Sequence, residues 1–131
     1  MTFLIDMQIF VRMTFLTSLL AGLIGCAAPP QSISTGITTS LPISWQAPLT
    51  NTKGESISNL AGYKIYYGTS STDYTNEVDI QSPGIVDYVI PDLSSQDYYI
   101  VVTAYTVDGV ESNYSEELIV SIDSEGTASL L

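Results

Sequence analysis

Tyr98-Tyr-Ile-Val-Val-Thr-Ala-Tyr105 is a run of aromatic and β-branched residues that contains no glycine, proline or charge. Because successive side chains of a strand point to opposite faces, the residues from Tyr98 to Ala104 in steps of two share one face. The residues between them, and Tyr105, share the other face. This spacing is that of a strand and not of an amphipathic helix, so the run predicts a β-strand.

Five further runs show the same alternation with a period of two. They cover residues 41–45, 63–67, 78–80, 86–90 and 118–122. Turn signals such as Ser82-Pro-Gly84 and Asp108-Gly109 separate the runs. Since no segment has convincing helical spacing, the sequence predicts an all-β protein, an antiparallel β-sandwich of about seven strands.

The charge balance excludes several classes of function. Three basic and 14 acidic residues, with no histidine, give a formal net charge of −11. An acidic surface repels phosphate, so we expect no nucleic-acid partner. The lack of histidine and the single cysteine exclude histidine-based metal sites, cysteine zinc clusters and triads with an imidazole base. We therefore expect no catalytic residues, no metal and no cofactor.

Two carboxylate groupings were considered as sites. Glu116 and Glu117 are adjacent, so in a strand they point to opposite faces and cannot form an acid–base dyad by themselves. Asp108-Gly-Val-Glu111 could place two oxygen ligands for calcium at one turn. The same residues also fit an ordinary acidic loop, and solubilising charge is the simpler interpretation of both groupings.

The N-terminal segment has the layout of a signal peptide. Arg12 is its only basic residue, and an uncharged, largely apolar run from Met13 to Gly25 follows. This run is shorter than the ~20 residues that span a bilayer, so a plain membrane anchor is the weaker alternative. Met7 is a better translation start than Met1, because Asp6 is unusual in a region that should be basic.

Residues 23–26, Leu-Ile-Gly-Cys, resemble the lipobox of bacterial lipoproteins. The resemblance implies cleavage before Cys26, so that residues 1–25 are the signal peptide, and lipidation of Cys26 as a membrane anchor. By resemblance to Gram-negative lipoproteins, Ala27 after the cysteine, in place of the aspartate that favours inner-membrane retention, implies the outer membrane of the cell envelope. The alternative is that Cys26 is just a small apolar residue of a leader. Residues 26–38, rich in Pro, Ser, Thr and Gly, predict a flexible tether.

Four segments resemble, in order, parts of a bacterial fibronectin type III domain, which has an immunoglobulin-like fold. They are Leu41-Pro-Ile-Ser-Trp-Gln-Ala-Pro48, Asn59-Leu-Ala-Gly-Tyr-Lys-Ile-Tyr-Tyr-Gly68, Leu93 with Tyr98–Ala104, and Val107–Ser112 with Tyr114-Ser115. The resemblance implies a domain over residues 39–122, with residues 123–131 as a C-terminal tail. It also implies a sheet of strands A, B and E packed on a sheet of strands G, F, C and C′.

Pro42 lies inside the segment that resembles strand B, where it removes a hydrogen bond of the ladder. The segment before it is short for a full strand A. A truncated strand A, which leaves the Pro42 side of strand B unpaired, explains both features.

Four large residues are predicted to form the structural core: Trp45, Tyr63, Leu93 and Tyr98. Trp45 is expected at the centre between the sheets, where a side chain of its size buries ~150–250 Å². Tyr98 matches the position of the family's tyrosine corner. The resemblance implies that its ring packs inward while its hydroxyl bonds the backbone of the preceding connection.

The alternation also predicts an exposed stripe for binding. If Tyr63 and Tyr98 face inward, then Tyr66, Tyr99, Val101 and Tyr105 face outward on neighbouring strands. Tyrosines supply contact area at low entropic cost, and exposed apolar patches mark interfaces. The alternative is that these aromatics only pair across strands.

These features together indicate a non-enzymatic lipoprotein of the cell envelope. We expect its fibronectin type III-like module to serve in binding, spacing or adhesion, with an unknown envelope protein or polysaccharide as the partner. An accessory docking subunit of an envelope or secreted enzyme complex is the alternative. A small hydrolase is disfavoured because no organised catalytic residues accompany the serines and carboxylates.

Overall fold

A computed structural model describes residues 9–10, 36–51 and 53–131. The lipobox, Cys26 and most of the predicted signal peptide and tether lie outside the described residues. These described residues form eight strands, β1 (Ile9–Phe10), β2 (Thr39–Trp45), β3 (Leu60–Gly68), β4 (Asn76–Ile80), β5 (Asp87–Leu93), β6 (Asp97–Thr106), β7 (Leu118–Ile122) and β8 (Ala128–Leu130).

The strands form two antiparallel sheets. In the smaller sheet β2 pairs with β5, and the two-residue β1 adds to the other edge of β2. The larger sheet has five strands in the order β4-β3-β6-β7-β8. Buried residues from both sheets make one hydrophobic cluster between them. The prediction of an all-β protein with two antiparallel sheets is therefore confirmed, and all six predicted runs are strands.

The described ranges contain no segment with the length and hydropathy that a helical bilayer span requires. Strand β2 shows how alternation places an apolar face toward the core. In β2, for example, Leu41, Ile43 and Trp45 are buried while the residues between them are partly exposed. This strand therefore contributes one apolar face to the core.

Pro42 points its peptide nitrogen toward the outer edge of β2. The Trp45 amide donates to the Val86 carbonyl at 2.9 Å, on the β5 side. Successive residues of an antiparallel strand direct their backbone N–H and C=O groups to alternate sides of the strand. Because Pro42 comes three residues before Trp45, its nitrogen faces away from β5. Among the described residues, that outer edge is paired only at Ser44 and Trp45, by β1. The missing amide therefore costs β2 no bond to β5.

The core contains the four residues that the sequence analysis placed there. Tyr63 is fully buried, and Leu93, Trp45 and Tyr98 are 3–6% exposed. The rings of Trp45 and Tyr63 meet edge to face with centroids 5.3 Å apart, which joins the two sheets. The Ser94 amide donates to the Tyr98 hydroxyl at 3.1 Å, so this hydroxyl bonds the backbone of the β5–β6 connection.

The C-terminal residues are not a free tail. Residues 123–131 include β8, which pairs with β7 and extends the larger sheet beyond residue 122. The turn before β8 is closed by the Asp123 carboxylate, which accepts hydrogen bonds from the amides of Glu125 and Thr127. Gly126 has a φ of 82°, a conformation that glycine adopts without strain. The prediction of a tail was wrong because three residues are too few to show an alternation.

Candidate binding face

The outer surface of the five-stranded sheet carries most of the partly or fully exposed aromatic residues of the described chain. Tyr63 and Ile65 of β3 are buried in the core, so their neighbours Lys64 and Tyr66 point outward. On β6, Tyr98 and Ile100 point inward in the same way. We call this surface the tyrosine face. It comprises Tyr66, Tyr74, Tyr99, Tyr105 and Tyr114 together with Lys64, Glu77, Asp79, Glu111 and Glu117.

The structure brings the four predicted stripe residues together on two neighbouring strands. In the register of β3 with β6, Tyr66 lies opposite Val101. Tyr99 lies opposite Gly68, and Tyr105 lies opposite Gly62. The three tyrosines are partly exposed. The three tyrosines are therefore spread along the length of the two paired strands β3 and β6.

Val101 is a correction to the predicted exposed stripe, because its side chain is only 1% exposed. It lies on a central strand and shares its outer surface with larger residues, Tyr66 directly opposite and Tyr99 two positions before it. Cross-strand neighbours of that size cover a shorter valine side chain. Val101 is therefore buried beneath the neighbouring tyrosines and has no exposed surface with which to contact a partner.

Tyr66 is held in place by a carboxylate. Its hydroxyl donates to Glu111 Oε1 at 2.8 Å, and the Thr103 hydroxyl donates to the same oxygen at 2.7 Å. Lys64 Nζ lies 3.5 Å from Glu111 Oε2 and 3.2 Å from Glu77 Oε1. Burial and the hydrogen bond to Glu111 raise the pKa of Tyr66 to about 12. This tyrosine is therefore a neutral hydrogen-bond donor at physiological pH.

Glu111 is ionised despite its partial burial. Burial acts to raise its pKa, but the hydrogen bonds from Thr103 and Tyr66 and the charge of Lys64 outweigh that effect. The net result is a pKa below the usual glutamate range. The nearby Asp108 carboxylate instead accepts a hydrogen bond from the Asn59 amide at 3.1 Å. The two carboxylates considered for calcium therefore have separate partners.

A second tyrosine–carboxylate pair lies beside the first. The Tyr74 hydroxyl donates to Glu117 Oε1 at 2.6 Å, and the Ser71 hydroxyl donates to Oε2 at 2.8 Å. The hydrogen bond from Tyr74 is the main reason that the pKa of Glu117 is lowered. Burial and the hydrogen bond to Glu117 raise the pKa of Tyr74 to about 12. The pairing repeats the arrangement of Tyr66 with Glu111.

Tyr114 connects the two pairs. Its ring meets Tyr66 edge to face with centroids 5.5 Å apart, and it meets Tyr74 in the same manner at 5.4 Å. Tyr114 is 54% exposed, so the three rings form a cluster that is open to solvent. The sequence analysis missed Tyr74 and Tyr114, since both lie outside regular strands where no alternation assigns a face. The abundance of tyrosine, nine in the chain, was the available signal.

Tyr105 occupies the other end of the face. Its hydroxyl donates to Asp79 Oδ1 at 2.8 Å, and its ring lies over Gly62. A Cβ at Gly62 would lie 2.7 Å from the Tyr105 hydroxyl oxygen and closer still to the Ile80 carbonyl oxygen. Glycine at this position therefore allows the ring to cross the strand. Hydrogen bonds to carboxylates thus fix three tyrosines of the face: Tyr66, Tyr74 and Tyr105.

A groove of about 560 Å³ lies against the smaller sheet and is lined by residues 42–45 and 86–89. Its described lining includes Pro42, Ser44, Trp45, Asp87 and Tyr88. Trp45 Nε1 is buried and has no hydrogen-bond partner in the part of the chain that the structure describes. Among the described residues, no group of three or more histidine, cysteine, aspartate or glutamate side chains is placed to hold a metal ion. The tyrosine face of the larger sheet offers a partner aromatic contact area that is surrounded by carboxylates.

The sequence was compared with known proteins. No protein-family model matches this chain, and no curated protein matches it.

Proposed function

We propose that this chain is a non-enzymatic lipoprotein of the cell envelope whose β-sandwich binds a partner through the tyrosine face. The single observation that supports this most is the solvent-open cluster of Tyr66, Tyr74 and Tyr114. Two of these rings are fixed by carboxylates, so their contact surface is preorganised and loses little entropy on binding. Exposed aromatic patches of this kind are typical of protein interfaces.

The domain is proposed to be of the fibronectin type III, immunoglobulin-like type. Support comes from the strand order β4-β3-β6-β7, since the resemblance implies the order C′-C-F-G. The hydrogen bond from the Ser94 amide to the Tyr98 hydroxyl is further support, because a tyrosine corner makes a bond of this kind. The extra strand β8 departs from the order that the resemblance implies.

Anchoring is proposed to occur through lipid on Cys26, after removal of residues 1–25. A thioether-linked diacylglycerol with an added acyl chain holds a protein stably at a membrane, because each buried methylene contributes ~0.8 kcal/mol. The test is acyl labelling and membrane fractionation of the Cys26→Ser variant. We expect loss of label and release from the membrane. A Cys26→Ser protein that is still firmly membrane-bound contradicts the proposal.

The binding role is tested by replacing Tyr66, Tyr99 and Tyr105 together with serine. The matched control replaces three exposed apolar residues that lie outside the larger sheet, Leu49, Ile85 and Val89, with serine. We expect the first variant to keep its β-rich circular dichroism and lose co-purifying envelope partners, while the control keeps them. Identical co-purification profiles for both variants contradict the proposed function. Recovery of an enzyme as the partner favours the docking-subunit alternative.

A further inference from the structure

We infer that the tyrosine face binds a lysine- and arginine-rich segment of a protein partner. This inference rests on the proposed binding function and adds the chemistry of the partner. The first argument is charge. Four carboxylates of the face, Glu77, Asp79, Glu111 and Glu117, contact its tyrosines or its lysine, and Lys64 is the one cation among these contacts, so they sum to 1 − 4 = −3.

The second argument is the electronic character of the rings. A cation is attracted to the face of an aromatic ring by the ring's quadrupole. The hydroxyls of Tyr66 and Tyr74 donate to carboxylates, and such donation leaves more electron density on the phenol ring. Tyr114 stands between them with more than half of its surface exposed. The cluster therefore places the exposed Tyr114 ring beside two carboxylates, Glu111 and Glu117, and both the ring and the carboxylates attract a cation.

The third argument is that other occupants fit this face less well. The hydroxyls of Tyr66, Tyr74 and Tyr105 already donate to carboxylates, so they are not free to donate to the hydroxyl oxygens of a neutral sugar. A second copy of this chain carries the same net charge of −11 and is repelled, as are phosphate groups and anionic lipids. Arginine and lysine side chains suit both the rings and the carboxylates.

The test measures binding of the full chain to a fluorescent peptide in which arginine alternates with serine. The comparison peptide has glutamine in place of every arginine. We expect the arginine peptide to bind about tenfold more tightly or better, with an affinity that falls as salt is added. Equal affinity for the two peptides overturns the inference.

Substitutions on the face separate ring chemistry from general charge attraction. Tyr114→Leu keeps apolar bulk and removes the ring, so we expect about fivefold weaker binding, whereas Tyr114→Phe should bind nearly as the parent does. Glu117→Gln should also weaken binding. Its matched control is Glu125→Gln, a change of the same charge in the turn at the other end of β7, which should alter affinity less than twofold.

Each result decides the inference. If Glu117→Gln and Glu125→Gln weaken binding equally, the peptide is attracted by net charge alone, and the inference is overturned. Unchanged binding by a folded Tyr114→Leu protein also overturns the inference. If Tyr114→Leu fails to fold, the comparison of the two glutamate variants decides. A neutral oligosaccharide that binds the face while the arginine peptide does not leaves the proposed function standing and overturns the inference. Failure of the proposed function appears separately, as unchanged co-purification by the triple tyrosine variant.

Discussion

At the scale of single residues, Trp45 and the carboxylates of the tyrosine face give the clearest predictions for the free energy of unfolding. Trp45 is 4% exposed and joins the sheets through its ring contact with Tyr63. Its indole N–H is buried and finds no hydrogen-bond partner within residues 9–10, 36–51 and 53–131, and burying such a donor costs free energy that an apolar side chain does not lose. Packing of the Trp45 ring therefore contributes more to the stability of the core than the indole N–H does.

Replacement of Trp45 by alanine is predicted to lower the free energy of unfolding by about 3–5 kcal/mol, because it leaves a large cavity between the sheets. Trp45→Phe keeps an aromatic ring against Tyr63 and removes the unpartnered N–H, so a loss of about 1–2 kcal/mol is expected. Equilibrium denaturation measures both values. A loss below about 1 kcal/mol for Trp45→Ala would refute the central placement.

The lowered pKa of Glu111 and Glu117 predicts a dependence of stability on pH. A carboxyl group whose pKa is lower in the folded state stabilises the fold above its unfolded pKa, near the ordinary value of 4.5, and loses this contribution as the pH falls through the folded pKa. The free energy of unfolding should therefore fall with decreasing pH below about 4.5.

Glu117→Gln should flatten this dependence, because the amide does not titrate. Its control is Glu116→Gln, at an exposed neighbour whose carboxylate receives none of these hydrogen bonds. Denaturation curves at a series of pH values measure the slope. Equal slopes for the two variants would show that the Tyr74–Glu117 pair does not contribute.

At the scale of elements, alternation of side chains predicted which residues form the central strands and which way they face. It could not predict that Val101 is covered, because a period of two assigns a face and says nothing about the size of the neighbours on that face. It placed neither Tyr74 nor Tyr114, since they lie in irregular segments. Strand β8 was not predicted because it is too short to show an alternation. Strand β1 was not predicted because its residues lie in a segment with the composition of a leader.

The close approach of β3 to its neighbours gives a prediction for Gly62. In Gly62→Ala the new methyl group meets the Ile80 carbonyl of β4 and the Tyr105 ring of β6, so both must shift. We expect a loss of about 1–3 kcal/mol in the free energy of unfolding. Gly84→Ala is the matched control, because a Cβ there meets nothing within 4 Å. Similar thermal denaturation of the two variants would contradict the packing described for β3.

At the scale of the whole molecule, we propose that the chain consists of a removable leader, a tether and a two-sheet domain. The pairing of Ile9–Phe10 with β2 lies within the predicted leader and involves only Ser44 and Trp45 of the domain. The core between the sheets is built from residues 41–128. The domain should therefore keep its fold when the leader is removed.

A chain that begins at residue 26, with Cys26→Ser to prevent lipidation, tests this division. We expect β-rich circular dichroism, a cooperative unfolding transition and a loss of about 1–2 kcal/mol relative to the full-length Cys26→Ser chain, which corresponds to the lost hydrogen bonds of β1. A shortened chain without a cooperative transition would show that β1 is an integral strand and that residues 1–25 are not a dispensable leader.

The central claim is that the tyrosine face of the larger sheet is where this protein meets its partner. The most direct measurement is crosslinking in intact cells from a photoreactive side chain placed at position 114, followed by mass spectrometry, with the same group at the exposed position 49 as the control. We expect a specific adduct with a protein from position 114 and none from position 49. Adducts of equal yield from both positions, or none from position 114, would contradict it.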